Sequence, residues 1–157
     1  MTGDIDVKQY PEHFFYGAIR LDLSSAKKAN ISRQNFTVVP RHWYIDAWFI
    51  CKECNEEFCW SKEVQRFWFE EAGTYVWAHP SLCRDCWLKH QERKQLRKQY
   101  DSLIGKALES DSPAVLKQEM LGTINRIEEL STKSLPEQIM QNRRALTNQL
   151  NGRNPIQ

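Results

Sequence analysis

Two Cys-x-x-Cys pairs constrain this chain more than any other feature. Cys51-Lys52-Glu53-Cys54 is followed, after 28 intervening residues, by Cys83-Arg84-Asp85-Cys86. Two residues between cysteines let both sulfurs turn toward one point, forming a knuckle. Two knuckles supply four thiolates, the soft tetrahedral donor set that suits zinc. A redox pair or an iron–sulfur centre could use similar spacing, but the redox motif belongs in a βαβ setting that the flanking residues do not offer. The expectation is one structural zinc ion on Cys51, Cys54, Cys83 and Cys86. Four protein ligands leave no position for water, so no catalytic role is expected of the ion. Structural zinc contributes an apparent ~10–16 kcal/mol in finger peptides, as much as a whole small domain's stability.

The compartment bears on the same cysteines. No apolar run with a basic flank opens the sequence, and no stretch approaches the ~20 apolar residues of a membrane span. A cytoplasmic location is therefore expected, with no membrane partner. In a reducing compartment the five cysteines read as metal ligands rather than disulfides. The fifth, Cys59, reads as a small core hydrophobe on a strand, with a spare ligand or free thiol as the other options.

Local patterns around the knuckles predict an α+β fold. Trp43 to Ile50 alternates as a strand running into Cys51, and Phe58-Cys59-Trp60 reads as a second short strand. Ser61 can cap a helix of Lys62 to Glu71 that Gly73 ends, and Thr74 to Trp77 reads as a returning strand. From Cys83 a long helix is predicted over 84–108, with Leu88, Leu96, Tyr100, Leu103 and Ala107 on one stripe. At roughly 1.5 Å per residue it would be nearly 40 Å long, enough to project as a stalk. Asp111-Ser112-Pro113 starts a further helix with Leu116, Met120, Ile124, Ile127 and Leu130 on one face. Ser134-Leu135-Pro136-Glu137 has capping-box spacing and opens a last one carrying Leu135, Ile139, Leu146 and Leu150. Residues 24–35 are polar and read as a loop, while Tyr10, Phe14, Phe15 and Tyr16 form an aromatic cluster expected to pack somewhere.

The expected organisation is thus an N-terminal segment, 1–42, packing on the finger, and a four-cysteine zinc module with its long helix, 43–110. A C-terminal helical hairpin, 111–150, and a disordered tail, 151–157, follow. Because the second pair opens a helix, a treble clef is favoured over a zinc ribbon, whose second knuckle would sit on another hairpin.

The runs WYIDAWFICKECNEEF, SKEVQRFWFEEAG and HPSLCRDC resemble a small bacterial family described as a probable zinc-ribbon domain, treble-clef-like and with four cysteines. The resemblance covers residues 43–87 of the 157. It implies four-cysteine zinc binding and a non-enzymatic module. In that family the first knuckle is usually followed by Gly, where this chain has Asn55, a residue that tolerates the left-handed conformation.

Two further features suggest surfaces. All six tryptophans lie between Trp43 and Trp87. A dense aromatic core is one reading; a partner-binding patch including Trp60, Phe67, Trp68 and Trp77 is the other. Net charge is only +2, yet residues 84–110 carry seven Lys/Arg against four Asp/Glu. Arg84, Lys89, Arg93, Lys94, Arg97 and Lys98 make the start of the long helix basic, either a solvated face or a phosphate-contacting one. Hydrophobic content of 41% supports a modest core. Together these point to a non-enzymatic zinc-binding interaction module for a protein or nucleic-acid partner, with self-association through the C-terminal helices as one mode. A treble-clef metal-dependent nuclease is the enzymatic alternative, but only His79 lies between the knuckles, without an acidic or His neighbour. A structural subunit or adaptor of a larger complex is the third.

Overall fold

The computed structural model describes residues 12–152. They divide into two compact units, with the boundary between Cys86 and Trp87. The predicted tail beyond 152 and Tyr10 lie outside the described residues.

The first unit is built on a three-stranded antiparallel sheet of β1 (Arg20–Lys28), β2 (Trp43–Ile50) and β3 (Glu57–Trp60), in that order. Along β2 the predicted alternation holds from Ile45 onward, but Tyr44, expected on the opposite face from Ile45, is fully buried and Trp43 only half-buried. Ile45, Ala47 and Phe49 are buried, while Asp46, Trp48 and Ile50 are more exposed. The first cysteine knuckle is the turn of the β2–β3 hairpin. Cys51 N–H donates to the Glu56 carbonyl (2.9 Å) and Asn55 N–H to the Cys51 carbonyl (3.0 Å). Closing that turn puts Asn55 at φ 59°, the left-handed region expected of it.

Residues 24–28, expected in a loop, belong instead to β1. The polar run conceals a bulge between Asp22 and Lys27. Asp22 Oδ1 accepts from Ser24 N–H (3.0 Å), and the Ser25 hydroxyl accepts from Asp46 N–H (2.8 Å), so serines stand in for ladder partners.

β3 covers β2 only from Ala47 to Ile50. At Ile45 the fully buried Gln65 amide takes over both backbone groups, accepting from Ile45 N–H (3.2 Å) and donating to the Ile45 carbonyl (2.6 Å) and the Trp60 carbonyl (2.8 Å). Gln65 lies on α1 (Lys62–Arg66), capped as predicted by the Ser61 hydroxyl, which accepts from Val64 N–H (3.3 Å). α1 passes into a π-helical turn, Phe67–Glu71, and Gly73 ends it at φ 67°.

The predicted strand Thr74 to Trp77 is not formed. Tyr75 makes only an isolated parallel bridge with Asn35. The backbone here is held by side chains and loops: Val76 N–H donates to the Asn35 carbonyl (3.1 Å), and the Val76 and Ala78 carbonyls accept from Arg41.

Arg41 is the unexpected centre of this unit. It is fully buried, donating from Nε to the Val76 carbonyl (2.6 Å) and from Nη2 to the carbonyls of Phe14 (2.9 Å) and Ala78 (3.2 Å). Its guanidinium also lies over the Phe69 ring (4.5 Å) and the Phe14 ring (4.6 Å). Of the N-terminal aromatic cluster, Phe14 and Phe15 are thereby packed in the core, whereas Tyr16 is exposed.

The second unit is a three-helix assembly of α2 (Arg84–Leu108) from Trp87 onward, α3 (Ala114–Glu129) and α4 (Glu137–Asn151). The helical periods predicted these elements closely. Tyr100 and Ala107 of α2 are buried with Met120, Ile124 and Ile127 of α3 and with Leu135, Ile139 and Leu146. The long helix is therefore no bare stalk: from Leu96 onward its apolar stripe is a wall of this core. Leu88, expected on that stripe, is exposed. The expected capping box is absent too, since Pro136 holds the cap and no side chain caps α4. The Pro136 carbonyl accepts from Ile139 and Met140 N–H (3.0 and 3.2 Å), which leaves Ser134 outside the first turn. The buried Lys117 closes the other end of α2, donating to the Glu109 carbonyl (2.8 Å) and to Gln149, which in turn donates to the Leu108 carbonyl (3.0 Å).

Arg41→Ala should cost about 3–5 kcal/mol, because it strands buried carbonyls and opens a cavity among aromatic rings. Equilibrium denaturation followed by tryptophan fluorescence measures it. At the knuckle, Asn55→Gly should be neutral to stabilising, whereas Asn55→Val should cost about 1–2 kcal/mol in the same measurement.

Candidate metal centre

The four predicted cysteines come together. Their Sγ atoms all lie within 4.8 Å of one another, and Cys54 Sγ is 3.9 Å from Cys83 Sγ. Four sulfurs on a tetrahedral ion at a metal–sulfur distance of about 2.3 Å would be about 3.8 Å apart. The donor set and its spacing thus fit a metal ion of that geometry. Cys51 and Cys86 are buried, Cys83 is half-buried and Cys54 is exposed, so the cluster has one open flank.

Each cysteine reaches the site by a local device. Cys51 directly follows β2 and Cys54 lies across the hairpin turn. Cys83 immediately precedes α2, and Cys86 lies in its first turn. Cys86 N–H points at Cys83 Sγ (3.5 Å), the backbone-to-sulfur contact that two-residue spacing permits. The two knuckles are clipped together by Lys52 N–H donating to the Ser81 carbonyl (2.9 Å).

The electrostatics are those of sulfurs crowded too closely to be charged alike. Burial raises the Cys51 thiol, but hydrogen bonds from the backbone of Cys54, Cys83 and Glu53 outweigh it and bring it down to about 6. The Cys83 side chain, then burial, push Cys86 up to about 12. Only a cation allows all four to be thiolates together.

The other reactive residues stand apart from this cluster. Cys59 is not the core hydrophobe expected: on β3 the exposed and buried positions alternate, Trp60 turns inward and Cys59 faces out. Burial, then Asp46, raise its thiol, which makes it a weaker nucleophile at neutral pH. His79 Nδ1 is 3.3 Å from the Trp77 carbonyl, and His90 Nδ1 is 3.0 Å from Arg93 Nη2. Neither histidine joins the sulfur group.

The aromatic residues separate by burial. Trp60, expected on a partner-binding patch, is instead the hub of the core, with Trp68 at 5.5 Å, Phe69 at 5.8 Å, Phe49 at 6.0 Å and Phe15 at 6.3 Å between ring centroids. Trp68 is half-buried against it. Phe67 is 53% exposed and Trp77 47%. The π-helical turn separates Phe67, Trp68 and Phe69 in this way, sending only Phe69 wholly inside.

The basic residues of α2 also divide. Arg84, Lys89, Lys94 and Lys98 are exposed. Arg97 is half-buried. Arg93, expected on the solvent face, turns toward α3 and donates to the Leu130 carbonyl (3.0 Å), where it satisfies the end of that helix.

Among the described residues no helix is long and apolar enough to cross a membrane. Searches of curated proteins and of solved structures return no match to this chain. A hairpin whose turn carries one cysteine pair, followed by a helix whose first turn carries the other, is a treble clef rather than a zinc ribbon. Residues 45–95, which contain the whole site, match the family described as a probable treble clef domain.

Proposed function

We propose that this protein is a zinc-organised, non-enzymatic binding module, in which one zinc ion fixes a surface for a macromolecular partner. The observation that carries the reading is the four-sulfur cluster within 4.8 Å. A tetrahedral ion on these ligands has no position left for water or substrate. Function then falls to what the ion holds in place. In the first unit this includes Trp77, whose edge meets Phe14 at 6.0 Å between centroids, and Phe67 beyond the end of α1. Large apolar side chains exposed this far are what a protein-contacting surface uses.

The apolar stripes of α3 and α4 pack with α2 within the chain, which supports a partner surface away from them. The nuclease alternative has only His79 between the knuckles to draw on, without an acidic or His neighbour in the chain.

Metal analysis of the purified protein should find about one zinc per chain; fully folded protein with a ratio near zero would sink the reading. Cys83→Ser should release the ion and unfold the first unit while leaving most of the helical signal of α2–α4, because those helices bury their own core. Circular dichroism with near-ultraviolet tryptophan signals separates the two parts, and uniform retention of structure would contradict the assignment.

A further inference from the structure

Several cations of the second unit are held within it. Arg126 bonds Glu92 at 2.7 Å and Glu129 at 3.0 Å, and Arg143 bonds Glu128 at 2.6 Å. Arg93 is spent on the Leu130 carbonyl, and Lys117 is buried on the Glu109 carbonyl. Like Lys89, Lys106, Lys133 and Arg144, Lys94 and Lys98 are exposed and make no ion pair among the described residues.

Their placement on α2 is not random. At roughly 100° per residue, Trp87, Gln91, Lys94 and Lys98 fall within about 60° of arc, opposite the core-facing Leu96, Tyr100, Leu103 and Ala107. The stripe runs for about 16 Å along the helix. Between residues 87 and 100 the only acid is Glu92, and Arg126 holds it toward α3. Asp101 is the first acid on the stripe's side, and it lies past Lys98. At the other end Trp87 leaves 49% of its surface in solvent.

Two exposed lysines on one helix face with an open indole, bordered by Asp101 only at the far end, have the chemistry of a strand-tracking site. The ammonium groups meet phosphates, and the aromatic face stacks on an unpaired base. A duplex would leave the indole idle, because its bases are already stacked. An acidic peptide would match the charge, but this face offers it one ring and no apolar pocket for anchors. We propose that the outer face of α2, through Trp87, Lys94 and Lys98, binds single-stranded nucleic acid without sequence selection. The proposal gives the binding module a nucleic-acid surface on α2, apart from the aromatic surface of the first unit, and rests on the module reading.

The test uses the full zinc-loaded chain and a fluorescently labelled 15-nucleotide oligothymidylate, followed by anisotropy between about 50 and 200 mM salt. Binding should weaken steeply with salt. Lys94→Gln with Lys98→Gln should reduce the log–log salt slope by about 1.4, since each phosphate contact on a single strand contributes about 0.7. Trp87→Ala should weaken the oligonucleotide about 5- to 150-fold while leaving any binding of a 15-base-pair duplex unchanged. Zinc content and helical circular dichroism of each variant show that the fold persists, so a zinc-free wild type overturns the module reading separately from this one. The proposal falls if folded, zinc-loaded protein fails to bind the oligonucleotide at 50 mM salt. It falls equally if the double lysine variant keeps the wild-type slope, if Trp87→Ala weakens duplex and single strand alike, or if a polyglutamate peptide binds as tightly as the oligonucleotide.

Discussion

Four cysteine sulfurs held within 4.8 Å of one another repel as thiolates and make a poor core as thiols, so the first unit is stable in this arrangement to the extent that a cation binds there. That requirement fixes the path of the chain on both sides. The β2–β3 hairpin must turn at Cys51–Cys54, and α2 must begin at the second pair. Residues 55–82 are then a closed loop whose ends are joined at the ion. Closing such a loop removes chain entropy from the unfolded state, which is how an ion bound there can determine a fold.

Arg41 solves the complementary problem inside that loop. The segment of Val76 and Ala78 returns toward the second knuckle without a strand partner, so its carbonyls would be buried unsatisfied. A guanidinium can serve several carbonyls from one position while its flat face rests on aromatic rings, and Arg41 does both. Gln65 does the same for the edge of β2 that β3 leaves uncovered. Two polar side chains thus replace ladder bonds in a unit too small to extend its sheet.

In the second unit Arg126 and Arg143 pair with carboxylates, Arg93 serves a carbonyl, and the helices bury their own stripes. What remains unspent is informative. Exposed aromatic residues in the first unit and the exposed lysines of α2 are surfaces that folding did not use.

The sequence by itself determined the ligand set, the left-handed role of Asn55 and the bounds of α2, because each follows from spacing or period within a few residues. It also announced three apolar helical stripes, since a 3.6-residue period survives whatever the partner is. Only the tertiary structure decided which aromatic residues are core. Trp60 and Phe67 are alike in type and close in the chain, yet one is the hub and the other faces solvent. The same holds for Cys59, turned outward by its register, for β1 hidden in a polar run, and for Arg41 and Arg93. Their roles depend on carbonyls 27 to 37 residues away, and no local pattern records where those carbonyls will be left without a partner.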